Sequence, residues 1–326
     1  DSVALLHLLY RLKSEYSLTL IVAHLNHMIR GLDANRDEGY VKNLSRALGL
    51  TCVVKRINVP EILKGKSMSP EDGARQIRYK FLKETALKHS ADKVALGHHL
   101  DDQAETVLLH FLQGAGLDGL KGMSPQRGIY IRPLLEVKKL ELEQYCKDSN
   151  LSFCVDATNY EDSYLRNKIR NRLIPLLVHE FNPNAVETLA NTAKILNEEN
   201  LFLDELVSRV ETDSRILLDH TKKTGTWSTK GFKHQSVAIQ RRFVRKAFKL
   251  AVGSVKNLSF KHVESIRTLI YANVSGNRIA LPGRMLALYS YQKLDIMPLA
   301  ASRQAVSGCP NYSYRLTVPG EVELKE

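Results

Sequence analysis

Along the first half of the chain the apolar residues follow two alternating periods. Short apolar runs at 18–24, 51–57, 94–96 and 129–131 read as buried strands. Between them, apolar positions recur every three to four residues. Val3, Leu6, Leu9 and Tyr10, with Leu5 and Leu12, form one such face, broad enough to predict a buried helix. Tyr40, Val41, Leu44 and Leu48 form another, closed by Gly49 where a helix C-cap belongs. Ser69-Pro70-Glu71 is a strong helix start, and Ala74, Ile77, Phe81 and Leu82 follow it at helical spacing. Pro60 reads as a stop, and Gly114, Gly116 and Gly119 mark a loop. Residues 138–149 predict a further helix. Strand and helix alternate throughout, which predicts an α/β fold: a parallel, doubly wound sheet with right-handed crossovers and helices on both faces.

From Asn184 the pattern changes. Helical spacing runs through Leu189, Ile195, Leu196, Leu201, Leu203, Leu206 and Val210 to about His220, and residues 225–231 read as a break. Two more helices are predicted over 237–252 and 260–271, then a hairpin with arms 278–281 and 285–291 around Pro282-Gly283. Residues 298–310 read as a linker. The predicted organisation is an α/β domain over 1–183, a mainly helical domain with a β-hairpin over 184–306, and the start of a small β-containing C-terminal piece over 307–326. Both ends read as cut: a helix opens at Asp1-Ser2 with no strand before it, and the final β pattern stops early.

The strand-to-helix turn at 96–106 holds the densest chemistry: Leu-Gly-His-His-Leu-Asp-Asp-Gln-Ala-Glu-Thr. Ala104, Val107, Leu108, Phe111 and Leu112 continue it as a helix. Such turns lie at the carboxyl ends of parallel strands, where ligands bind. Capping explains one carboxylate at a helix start well and two tolerably. It does not ask for His98 and His99 beside them. Asp102 and Glu105 are three apart and Asp101 and Glu105 four apart, so they share a helix face. Carboxylates there suit Mg²⁺ on a phosphate, or an ammonium ion whose proton they accept. Asp1 and Ser2, at the start of the first helix, would offer backbone N–H groups and a hydroxyl to an anion. Farther on, Arg166 and Arg170 stand one helical turn apart in a basic run, and guanidinium forks suit phosphate oxygens. A bare charge run is more often a solvated face.

Composition adds one fact to this picture. The chain has 326 residues, long enough for two or three domains, with 44% hydrophobic and 25% charged residues. Its formal net charge of +12 points to a polyanionic partner, nucleic acid before membrane. Cys52, Cys146, Cys154 and Cys309 form no Cys-x-x-Cys pair, which argues against a zinc knuckle or redox motif and fits a reducing compartment. No run reads as long and apolar enough to span a membrane, and none reads as a signal peptide.

Several motifs in order resemble the bacterial tRNA(Ile)-lysidine synthetases, which belong to the PP-loop ATP pyrophosphatases with a Ser-Gly-Gly-x-Asp-Ser loop. Asp1-Ser2 resembles the last two residues of that loop. Ala23-His24-Leu25-Asn26-His27 with Arg30-Gly31 is similar to the second motif, although Ala34 stands where members often have serine. Gly73-Ala74-Arg75 with Arg78-Tyr79 and Leu82 is similar to the Ala-Arg-x-x-Arg-Tyr helix. Gly97-His98-His99 with Asp101-Asp102-Gln103-Ala104-Glu105-Thr106 is the most specific match. Arg132-Pro133-Leu134-Leu135 and the stretch from Asp156 through Asn159, Arg166 and Asn167 to Arg170 complete it.

The resemblance implies an adenine nucleotide α-hydrolase-like fold and a cytoplasmic ligase that uses ATP, Mg²⁺, L-lysine and tRNA(Ile) with a CAU anticodon. A homodimer is compatible with it. The implied reaction has two steps. The oxygen on carbon 2 of the wobble cytidine attacks the α-phosphate of ATP, and pyrophosphate leaves. The lysine ε-amine then attacks carbon 2 and expels AMP. By the same resemblance Asp1, Ser2, Ala23, His24, Gly97 and His98 belong to the nucleotide site. Asp102 and Glu105 hold and deprotonate lysine, with Asp102 alternatively on Mg²⁺. Arg78, Arg166 and Arg170 hold phosphate charge or the base. Two alternatives remain. One is a PP-loop enzyme that inserts sulfur at the same carbon, which usually uses paired cysteines. The other is an inactive RNA-binding relative. Arg241, Arg242, Arg245, Lys246 and Lys249 on the helix over 237–252 are the expected RNA-facing charges, for phosphate contact rather than base reading.

Overall fold

A computed structural model describes residues 1–29, 31–65, 69–152, 165–255 and 257–301. Arg30, Asp156, Asn159, Cys154, Cys309 and the piece predicted over 307–326 lie outside the described residues. The chain divides into two compact units, Asp1–Asn200 and Leu201–Glu326.

The first unit opens with α1 (Ser2–Arg11), then β1 (Ile21–Asn26), α2 (Leu32–Ala47) and β2 (Thr51–Arg56). β1 and β2 pair in parallel, from Ile21 opposite Thr51 to Asn26 opposite Arg56, so α2 is their crossover. β2 ends before Pro60, as its sequence predicts. That proline sits near the start of a short helix, α3 (Val59–Leu63), whose Asn58 cap accepts the Glu61 N–H. A missing N–H costs nothing in a first helical turn, so the proline is tolerated there. α4 (Pro70–Lys88) begins as its sequence predicts: the Ser69 hydroxyl accepts the Asp72 N–H at 3.1 Å.

β3 (Val94–Ala95) leads through a four-residue turn into α5 (Leu100–Leu112). The glycine-marked loop contains one short helix, α6 (Leu117–Leu120). β4 (Gln126–Arg127) and β5 (Tyr130–Ile131) form a small hairpin around Gly128, and β5 pairs in parallel with β3, Ala95 opposite Ile131. α7 (Lys139–Asp148) follows. Ala4 and Leu5 of α1 pack against Leu134 and against Leu142 and Cys146 of α7, with Leu8 and Leu9 beside them, so the buried face is turned from the predicted one and shares only Leu5 and Leu9 with it. Tyr10 and Leu12 at its far end are exposed, so that helix is buried on one side only. Residues 165–181 form one helical run in which α8 (Leu165–Lys168) and α9 (Ile174–Leu176) alternate with wider π-type turns at Ile169–Leu173 and Leu177–Phe181. Parallel pairing flanked by helices is the α/β architecture that the alternating pattern predicts.

α10 (Ala185–Ser214) carries the chain into the second unit. There β6 (Arg215–Asp219), β7 (Thr224–Ser228), β8 (Arg278–Leu281), β9 (Met285–Ser290) and β10 (Lys293–Pro298) make one antiparallel sheet in the order β6-β7-β10-β9-β8. α11 (Val237–Val252) and α12 (Phe260–Ala272) supply the helical layer. β8 and β9 are the predicted hairpin. The other three strands enlarge it, and two of them occupy stretches whose pattern reads as helix end and break. β7 carries Trp227, fully buried in this unit's core with Phe243, Phe248, Ile266, Leu294 and Ile296. Its indole Nε1–H donates to the buried carboxylate of Glu211 at 3.1 Å.

Candidate active site at the carboxyl ends of the strands

The turn after β3 is shaped by a backbone approach. A Cβ added to Gly97 would lie 3.2 Å from the Ser2 nitrogen and 3.3 Å from the Asp1 carbonyl carbon. A side chain at Gly97 would press on the backbone at the start of α1, which would have to give by a few tenths of an ångström. Asp1 and Ser2 therefore lie beside Gly97. Buried His99 faces three carboxylates: its Nε2 is 3.5 Å from Asp1 and 3.4 Å from Asp102, and its Nδ1 is 3.5 Å from Asp101.

Capping accounts for part of the acidic turn. Asp102 Oδ2 accepts the His99 N–H at 3.1 Å, the N-terminal cap of α5. Asp101 accepts the Lys139 N–H at 2.9 Å and so ties α5 to α7. Burial would raise the Asp101 carboxyl, but the His99 and Lys139 hydrogen bonds outweigh it and hold it below its usual range.

Glu105 has no capping role. It is 1% exposed, and both its oxygens accept guanidinium hydrogens. Arg166 Nε reaches Oε2 at 2.9 Å, Arg170 Nη2 reaches the same oxygen at 2.9 Å, and Arg170 Nε reaches Oε1. The same two arginines reach Asp102 Oδ1, at 3.5 Å from Arg166 and 3.1 Å from Arg170. Burial pulls the Arg170 guanidinium down, yet the Glu105 hydrogen bonds and charge leave it raised. Arg170 lies in the first wide π-type turn, a feature frequent at functional sites. The four residues predicted from separate motifs thus form one ion-pair cluster. With every oxygen of Asp102 and Glu105 accepting a hydrogen bond, the cluster presents no ready Mg²⁺ site. Among the described residues no group of three His, Cys, Asp or Glu side chains is arranged to hold a metal.

Beside this cluster stands a basic wall. Tyr79 of α4 packs on Tyr130 of β5, ring centres 4.8 Å apart, and the Tyr130 hydroxyl donates to the Tyr79 carbonyl at 3.1 Å. This contact brings Arg75 and Arg78 to the strand ends. Arg75 lies over the Tyr79 ring at 5.0 Å and donates to its hydroxyl at 3.2 Å. Burial, then the charge of Arg75, lowers the Arg78 guanidinium. Burial likewise lowers His98 to about 4, opposed by Asp102 and reinforced by Arg132, Arg75 and Arg78, so it is neutral at pH 7. The sequence marks Arg75 and Arg132 only as motif positions. For Arg132 the signal was a charged residue at the carboxyl edge of an apolar strand, and burial was needed to read it.

Ala23 and His24 sit in β1 opposite Val53 and Val54, on the strand pair that shares α4 with β3. The end of that pair is braced by Glu38, to which the sequence reading gives no part. Glu38 is buried and accepts from Arg56 Nε at 2.7 Å, from Lys42 at 2.6 Å and from Asn26 at 3.1 Å. The Arg56 hydrogen bond, with Lys42 next, lowers the Glu38 carboxyl to about 2.

In the second unit the basic helix α11 is less available than its sequence suggests. Arg241 donates to Glu264 at 2.7 Å, Arg242 to Asp204 at 2.8 Å and Lys246 to the Ser208 hydroxyl at 2.6 Å. Lys249 is exposed. Among the described residues no helix is long and apolar enough to cross a membrane.

A family model described as a PP-loop domain matches residues 1–177, which is the class that this fold and strand-end site define. A curated tRNA(Ile)-lysidine synthase of Clostridium acetobutylicum is 38% identical over 292 residues, 89% of this chain and 62% of the relative. One of Clostridioides difficile is 34% identical over 335 aligned positions, 100% of this chain and 70% of the relative. The chain belongs to the tRNA(Ile)-lysidine synthase family of PP-loop proteins. It spans 62% of the length of the first curated relatives it matches. A solved structure of a U34-tRNA thiolase, NcsA, from Methanococcus maripaludis with its 4Fe-4S cluster is similar at 20% identity and a TM-score of 0.48, over 59% of this chain and 68% of that one.

Proposed function

We propose that this chain carries the catalytic part of a cytoplasmic tRNA(Ile)-lysidine synthetase, with residues 1–183 as the ATP-dependent catalytic domain and 184–306 as a tRNA-binding domain. One observation carries the reading: two buried carboxylates on one face of α5, Asp102 and Glu105, are held by Arg166 and Arg170 at the carboxyl end of β3. The cluster brings together the groups that two successive charge-moving steps need.

In the first step the wobble cytidine oxygen attacks the α-phosphate of ATP, and pyrophosphate leaves. Guanidinium groups stabilise the charge that develops on phosphate, and Arg78, Arg166 and Arg170 are assigned that task. Asp1, Ser2, Gly97 and His98, with Ala23 and His24 of β1, form the nucleotide side. In the second step the lysine ε-amine attacks carbon 2 and AMP leaves. A free lysine amine has a pKa of ~10.4 and must lose its proton to attack. Asp102 and Glu105 hold the ammonium and take that proton once Arg166 and Arg170 turn to phosphate. Mg²⁺ would accompany the ATP phosphates and offset part of their charge.

Lysine-dependent release of AMP with a tRNA(Ile) transcript bearing CAU, measured on the protein that contains this chain, tests the reading. Asp102→Asn should lower lysine incorporation by about a hundredfold or more, in the range of a positioned general base. Unchanged incorporation would remove Asp102 from the mechanism.

A further inference from the structure

Arg132 is 6% exposed, yet among the described residues no carboxylate lies within ion-pairing distance of it. Its Nη1 donates to the Ser124 carbonyl at 2.7 Å, and its Nε has no partner. A buried guanidinium held only by a neutral carbonyl is costly, and proteins rarely keep one without a counter-ion. The neighbours deepen the imbalance. Arg132 follows Ile131 directly, and the Leu96 N–H donates to the Ile131 carbonyl at 2.9 Å, so Arg132 and His98 leave adjacent parallel strands side by side. Tyr79 on Tyr130 brings Arg75 and Arg78 to the same place. Among the described residues neither has a carboxylate partner, and Arg78 Nε and His98 Nδ1 are buried and unpartnered. The acidic residues of the turn are committed elsewhere: Asp102 and Glu105 to Arg166 and Arg170, Asp101 to Lys139 and His99.

We propose that Arg75, Arg78 and Arg132, gathered around His98 at the carboxyl ends of β3 and β5, form a pocket for an oxyanion of a substrate. The ligand chemistry is a phosphate or a carboxylate, either of which matches a guanidinium fork and accepts hydrogens from the unpartnered nitrogens. Arg132 is the fixed member, anchored from below by Ser124. Arg75 and Arg78 close over the ligand from α4. The pocket rests on the proposed function only for the source of the oxyanion: the pyrophosphate end of ATP or the α-carboxylate of lysine.

Calorimetric titration of the protein that contains this chain tests the pocket without turnover. The probes are inorganic pyrophosphate, L-lysine, and cadaverine, which is lysine without its carboxylate. Loss of a buried guanidinium partner weakens an anion by about thirtyfold or more. Arg132→Met and Arg75→Met should both show that loss for one anionic probe, while cadaverine binding is unmoved. Loss on pyrophosphate assigns the pocket to phosphate, and loss on L-lysine assigns it to the carboxylate. Arg75→Met leaves the Ser124 contact intact, so it separates binding from folding. The pocket is overturned if the unaltered protein binds neither pyrophosphate nor L-lysine, or if either variant binds both as the unaltered protein does. Failure of AMP release with intact anion binding would sink the proposed function and leave the pocket standing.

Discussion

Arg170 grips Glu105 with two nitrogens, Nε on one carboxylate oxygen and Nη2 on the other, although 65 positions separate them in sequence. The geometry is the two-pronged fork that makes arginine–carboxylate pairs directional. Because Glu105 is buried, removing one partner exposes the other to an uncompensated desolvation cost. Arg170→Met should therefore lower stability by about 2 kcal/mol, softened by the remaining Arg166 contact. Urea unfolding of Arg170→Met, Glu105→Gln and the double variant should give a coupling of about 1–3 kcal/mol. Additive losses would show that the fork contributes nothing of its own.

Glu38 predicts an acid-sensitive brace. Its folded pKa lies near 2 against an ordinary 4.5, so between those values the unfolded chain binds more protons than the folded one. Stability supplied by Glu38 is thus present above pH 4.5 and lost as pH falls toward 2. Glu38→Gln should be less stable at pH 7, and the gap to the unaltered protein should close across that window. Parallel curves in acid urea titrations would exclude Glu38 as the cause.

Gly97→Ala tests the close approach to Ser2. The added methyl would meet backbone rather than a movable side chain. It should cost about 1–2 kcal/mol by overpacking and weaken ATP binding together with stability. A melting temperature equal to that of the unaltered protein would show that α1 yields.

Charge pairing on α11 predicts unequal contributions to RNA binding. Lys249 is exposed, whereas Arg242 is held by Asp204. Lys249→Ala should reduce the salt slope of tRNA binding by roughly 0.7–0.9, the value for one phosphate contact. Arg242→Ala should change that slope less. Equal effects would mean that the ion pair with Asp204 opens when RNA binds.

The first unit was legible because its period changes sharply at each element. Ser69-Pro70 starts a helix on chemistry alone, and Asp102 and Glu105 share a helix face by spacing alone. Their pairing with Arg166 and Arg170 was not legible, since the sequence places those residues more than sixty positions away. The second unit was harder. Ile216 and Leu217 continue the apolar spacing of α10 without a turn residue, so β6 reads as helix. β7 has glycine at Gly225 and a single large apolar residue, Trp227, which reads as a break. Five-stranded pairing was needed to make either segment a strand. Arg132 shows a third limit: its sequence states a charge, and only burial states that the charge is unmatched.

The chain has one tryptophan, and Trp227 lies wholly inside the second unit. Its indole fluorescence is therefore a private optical reporter of that unit. An emission shift during unfolding follows the antiparallel sheet and stays blind to the strand-end cluster of the first unit. Tyrosine absorbance and circular dichroism see both. A difference between the two readouts would measure how far the unit that holds the strand-end cluster can loosen while its companion stays folded.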